Sequence, residues 1–152
     1  MPSDVFQLIV AVLALVAGAA SEELLPKFAG VGFPVLLTAV QFFAIRATQP
    51  LAVLFALAAG AAEDALSGLP PMTSASYFLV VAALVRWSET PRIATAVTYP
   101  CYQVWLSVWM AGLGGGVFMR ILAAVPLGLA TAAAVSLAMA WTWRKAAIDE
   151  RG

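Results

Sequence analysis

Residues 8–20 read LIVAVLALVAGAA, without a single polar side chain. A half-buried strand alternates apolar and polar residues, and so does the wall of a membrane barrel. This run alternates nothing, so it reads as a helix that is apolar around its whole circumference. Such a helix belongs in a protein core or in a bilayer. Its flank decides whether it is kept. A secretory signal carries Lys or Arg ahead of the apolar run, whereas the only charged side chain here is Asp4. AGAAS at 17–21 imitates a cleavage site, yet the segment is expected to stay as a retained helix.

The pattern recurs along all 152 residues. The chain is 63% hydrophobic and 11% charged, with a mean hydropathy of +0.96. Soluble domains carry about a quarter charged residues, so too few are present to cover a globule. A polytopic membrane protein is expected. Proline, glycine and charge divide the chain into apolar segments at 5–25, 31–45, 51–66, 74–87, 93–113 and 117–143. Backbone groups in hydrocarbon must bond within their own segment. The expectation is therefore all-α: six transmembrane helices forming one domain over 1–152.

Six crossings place both termini on one side. With them lie Arg46, Arg86, Arg92, Arg144, Lys145 and Arg151, against Lys27 and Arg120 opposite. The positive-inside rule then predicts cytoplasmic termini. Net charge is zero and no basic stripe appears, so nucleic acid is not an expected partner. One cysteine, Cys101, and no histidine exclude an intramolecular disulfide and a Cys/His metal site. Cys101 lies in an apolar run and reads as a small buried hydrophobe. GLGGG at 112–116 lacks the following Lys of a phosphate loop and reads as a turn.

A second stretch breaks the monotony. Residues 58–77 read AAGAAEDALSGLPPMTSASY. Asp64 stands 18 residues beyond Arg46, about 27 Å at ~1.5 Å per residue. That is the outer edge of a hydrocarbon core ~30 Å thick. Ala52, Ala56 and Gly60 precede Asp64 at four-residue steps, a seam along which another helix can approach closely. Glu63 points about 100° away, toward water or headgroups. Ser67, Gly68, Pro70 and Pro71 turn the chain, and Thr73, Ser74 or Ser76 can cap the fourth helix.

A carboxylate ending a packed seam needs a partner. Arg120 reaches the same outer edge and is the candidate ion-pair partner of Asp64. The alternatives are a polar group of the third loop for Asp64, and snorkelling to phosphates for Arg120. Neighbouring carboxylates diverge on a helix and cannot flank one bond, and no nucleophile set stands nearby. No catalytic residue, cofactor or metal is expected.

The fifth segment contains TYPCYQVWLSVWM at 98–110. Pro100 should kink it. Tyr102, Trp105 and Trp109 share one face, which suits packing, interfacial anchoring or the stacking of a flat ligand. Gln103 needs a hydrogen-bond partner. Few other polar groups are available, so the outer end is expected to hold a small solute poorly.

Gly60, Asp64, Ser67, Gly68 and Pro70, following an apolar third helix, resemble the MreD family of rod-shape-determining bacterial membrane proteins. That family carries Gly-x-x-x-Asp-x-x-Ser-Gly-x-Pro-Leu-Gly at this place; here Pro71 and Met72 stand where it has Leu-Gly. The resemblance implies a non-enzymatic inner-membrane component of the cell-elongation machinery, with those five residues as a structural or partner motif. It implies binding to an MreC-like single-span scaffold, and through it to a RodA-type glycan polymerase and a class-B penicillin-binding protein. The fold it implies is similar to the membrane substrate-binding subunits of energy-coupling-factor transporters. A vitamin-binding subunit of that kind is the alternative function.

Overall fold

A computed structural model describes residues 3–27, 31–88, 91–110 and 116–149, with backbone alone at 91–96, 110, 117 and 146–149. The apolar segments form six α-helices: α1 Asp4–Leu24, α2 Val35–Arg46, α3 Gln49–Ser67, α4 Thr73–Trp87, α5 Pro91–Met110 and α6 Gly116–Asp149. No strand occurs among the described residues. Three of the helices are long and apolar enough to cross a membrane: α1, α3 and, in α6, Phe118–Lys145. The α2 and α4 helices are apolar but shorter.

Two boundaries depart from expectation. The α2 helix starts at Val35 rather than near residue 31, because Pro34 is its N-cap and the residue before a proline favours extended backbone. The α6 helix continues past Trp143 to Asp149, through Arg144 and Lys145, which are good helix formers. Pro100 sits inside α5 and Pro126 inside α6.

The α2 helix is the centre of the bundle and touches each of the other five. Every side chain from Leu36 to Ala44 is buried. Its polar members find partners: Thr38 Oγ1 donates to the Pro34 carbonyl at 2.8 Å, and Gln41 Nε2 donates across to Thr98 Oγ1 of α5. The α1 and α6 helices lie outside and turn Val5, Leu8, Ile9, Val12, Leu122, Leu129 and Leu137 outward. Cys101 is exposed on α5, beside Val97, Val80 and Leu84, rather than buried. A small apolar residue suits a lipid-facing surface as well as a core, so its type did not separate the two.

Helix directions follow from contacts at one end. Gln7 Oε1 accepts from the Thr48 N–H at 3.5 Å, and the Phe6 ring meets Trp143 edge-on at 6.1 Å. Arg86 Nη1 donates to the carbonyls of Ala44 at 3.1 Å and Ala47 at 3.3 Å. The starts of α1 and α3 therefore lie with the ends of α2, α4 and α6. Phe42, Phe43, Phe55 and Trp143 close this end as an aromatic cluster, with Phe43 and Phe55 centroids 4.4 Å apart. Arg46, Arg86, Arg144 and Lys145 all stand at this end, the last over the Trp141 ring at 5.3 Å.

Arg86 supplies donors to the C-terminal carbonyls of α2 and sits at the negative end of its dipole. Arg86→Met is expected to lower stability by about 1–2 kcal/mol, read from reversible unfolding in mixed micelles. An unchanged midpoint would show that lipid or water serves those carbonyls equally well.

Candidate functional site

The other end is built around the α3–α4 joint. Ala56, Ala59 and Gly60 are buried along the α3 seam. A Cβ on Gly60 would lie 2.5 Å from the Ala75 nitrogen and 2.9 Å from the Ser74 carbonyl carbon. Gly60 thus lets the first turn of α4 rest directly on α3. Gly68 ends α3 in the left-handed region at φ 64°, and the Leu69 N–H returns to the Asp64 carbonyl at 3.0 Å. The Pro70 carbonyl accepts from Thr73 Oγ1 at 2.8 Å and from the Thr73 N–H at 3.2 Å.

Asp64 is 4% exposed, and its Oδ1 accepts from the Ser74 N–H at 2.7 Å. Capping of α4 is therefore delivered from α3, across the joint. The hydroxyls expected to cap it do otherwise: Thr73 donates to Pro70 and Ser76 to the Thr73 carbonyl. The expected ion pair with Arg120 is not formed, because Asp64 faces the head of α4 while Arg120 lines a cavity elsewhere at this end. Asp64 Oδ2 is buried with no hydrogen-bond partner. Asp64→Ala and Arg120→Ala are accordingly expected to be additive within ~0.5 kcal/mol, measured as a double-mutant cycle of unfolding. A coupling of 1 kcal/mol or more would restore the ion pair.

Met72 precedes α4 with φ 70°, the only non-glycine residue at positive φ among those described. It occupies the position where the motif of the family that the sequence resembles has glycine. Left-handed backbone costs an L-residue ~1–2 kcal/mol, while glycine loses ~0.5–1 kcal/mol in chain entropy. The Met72 side chain is exposed and packs little. Met72→Gly should therefore gain up to ~1 kcal/mol; a loss on unfolding analysis would contradict the strained conformation.

Glu63 was expected to face water but is 8% exposed, because α3 is flanked by α1 and α2 as well as α4. It lines a cavity of about 250 Å³ where α1 ends and α2 begins. Leu36, Leu37, Phe78 and Leu106 supply apolar lining, and Tyr99, Tyr102 and Gln103 of α5 form one wall. Glu22, Lys27 and Arg120 complete the charged part of the lining. This end is thus richer in converging polar groups than expected, since residues from six helices and two connecting loops gather there.

The wall is held in place by the protein itself. Tyr99 Oη donates to the Gly32 carbonyl at 2.5 Å, and Gly128 leaves room for its ring, to which a Cβ would come within 3.0 Å. Tyr102 Oη and Ser74 Oγ are 2.7 Å apart. Trp105 Nε1 donates to the Thr73 carbonyl at 3.0 Å. The aromatic stripe of α5 therefore packs on the first turns of α4, with Tyr77 and Tyr102 centroids 5.1 Å apart, while Trp109 stays exposed. Ser74 joins the two features: its N–H serves Asp64 and its hydroxyl serves Tyr102. Tyr99 was missed by the sequence reading, although its spacing from Tyr102 and Gln103 places all three within one turn of a helix.

Among the described residues, no group of three or more Asp, Glu, Cys or His side chains could hold a metal ion. Comparison of the chain with protein-family models, curated proteins and solved structures finds no match.

Proposed function

We propose that the protein is an MreD-like, non-enzymatic component of a bacterial cell-elongation machinery. In this reading it crosses the inner membrane six times with cytoplasmic termini, binds the transmembrane helix of an MreC-like scaffold, and so bears on where peptidoglycan is made. One observation supports it above the others. Four of the five residues that carry the resemblance are parts of one joint: Gly60 for close approach, Asp64 for the cap, Gly68 for the left-handed turn and Pro70 for its carbonyl, while Ser67 bonds Glu63. Alternating helix directions and the cluster of Arg46, Arg86, Arg144 and Lys145 at one end support the orientation.

The test is co-purification in mild detergent with a single-span protein that carries a coiled coil outside the cytoplasm. Recovery of such a scaffold, and its loss in a joint variant that still folds, is the expected result. A cytoplasm-active reporter fused after Gly152 should be active; activity of a periplasmic reporter there would reverse the bundle.

The cavity favours a second reading, a solute-binding membrane subunit of an energy-coupling-factor transporter. It predicts recovery of a coupling membrane subunit and ATPases in place of the scaffold.

A further inference from the structure

The cavity carries balanced charges, Glu22 and Glu63 against Lys27 and Arg120. Among the described residues no two of the four stand in ion-pair contact, although Lys27 is near enough to both carboxylates to act on them. Charges held beside apolar lining are costly, so opposite charges so placed ordinarily close on each other. Here Lys27 acts electrostatically on Glu22 and Glu63 without closing into contact, and Arg120 touches neither. Glu63 takes a long 3.5 Å hydrogen bond from Ser67 Oγ, and the Glu22 carboxylate lies against Gly32, where a Cβ would be 3.2 Å from its Oε2. Lys27 and Arg120 come from the α1–α2 loop and the start of α6. Pro34, Leu36 and Leu37 also line the space, which sets the positive end of α2 beside it, and no side chain caps that helix.

We propose that this cavity is a binding site for a small zwitterion. Its primary ammonium pairs with Glu63 and Glu22, and its phosphate or carboxylate pairs with Arg120 and the head of α2. The charge arrangement carries the assignment, because a simple cation would leave Arg120 stranded and a simple anion would leave two carboxylates with Lys27 alone. Size agrees. About 250 Å³ is below the ~300–1,000 Å³ of sites for drug-sized ligands and suits a headgroup or an amino acid. The Tyr99 and Tyr102 hydroxyls are already bonded to Gly32 and Ser74, so the wall needs no rearrangement to receive a ligand. The same chemistry occurs in the ethanolamine phosphate of a membrane lipid and in a free amino acid. The site stands whether or not the protein serves cell elongation.

The experiment uses the full chain in detergent and follows thermal unfolding with O-phosphoethanolamine, glycine or phosphocholine. Native mass spectrometry after release from nanodiscs of phosphatidylethanolamine, phosphatidylglycerol or phosphatidylcholine forms the second arm. At ten times the dissociation constant a bound probe should raise the midpoint by about 3 °C or more. Phosphocholine, whose nitrogen donates no hydrogen bond, should give a smaller rise. A rise with free phosphoethanolamine or glycine identifies a soluble ligand. Retention of one phosphatidylethanolamine per chain, without a rise from the free probes, identifies the lipid. Arg120→Gln and Glu63→Gln should abolish either signal, whereas Glu23→Gln, exposed and outside the cavity, should keep it. If Glu63→Gln does not fold, Arg120→Gln at the rim carries the test. No rise with any probe together with no lipid preference, or signals unchanged in the folded Gln variants, would overturn the proposal.

Discussion

Gly60→Val is expected to leave almost no folded protein. The added Cβ would fall 2.5 Å from the Ala75 nitrogen, an overlap with backbone that no side-chain rotation relieves. Overpacking against side chains costs about 1–3 kcal/mol. Separating α3 from α4 costs more, because it breaks the Asp64–Ser74 bond and opens the seam along Ala56 and Ala59. Even Gly60→Ala should lower the midpoint measurably. The control is Gly116→Ala, where a Cβ meets nothing within 4 Å. The check is the monodisperse fraction on size exclusion, followed by unfolding. A Gly60→Val protein with a wild-type elution profile and midpoint would refute the close contact.

Asp64→Ala should be the next most damaging change, at about 1–3 kcal/mol. It strips the cap from α4 and leaves the buried Ser74 N–H without an acceptor. Removing a buried carboxylate whose Oδ2 has no partner offsets part of that loss. Asp64→Asn separates the two terms. Its amide oxygen can take the place of Oδ1, so the cap persists while the charge goes. Stability within ~1 kcal/mol of wild type is expected for Asn. Equal losses for Asn and Ala would mean that the charge, and not the cap, holds the joint. If Asn folds normally yet scaffold recovery fails, the carboxylate itself is read by the partner.

Six helices could be read from the sequence because proline, glycine and charge interrupt runs that are otherwise apolar. The α4 helix, expected at 74–87, occupies Thr73–Trp87. The centrality of α2 could not be read, since a helix bathed in lipid and one wrapped by neighbours are apolar all round in the same way. Cys101 was misplaced for that reason. The joint was legible as a place, through Gly60, Gly68 and the prolines, but its central bond was not. Asp64 Oδ1 is met by a main-chain N–H, which any residue except proline at position 74 would offer. Glu63 was misjudged because 100° of rotation gives a direction but not what stands there. The cavity, assembled from six helices and two loops, has no signature in any single stretch.

The brevity of α2 has an electrical consequence. Its 12 residues span about 18 Å at ~1.5 Å per residue, against a hydrocarbon core ~30 Å thick. In the proposed orientation, the polar cavity sits above its first turn and the aromatic cluster seals its last. The insulating path through the protein is then little more than half that through the surrounding lipid. A membrane voltage would fall across this thin central septum, and the local field there would be correspondingly steeper. Glu63 and Arg120, at the mouth of the septum, would lie close to the outer potential rather than part-way down the drop. Any ligand that exchanges with the outer solution there would bind with little voltage dependence.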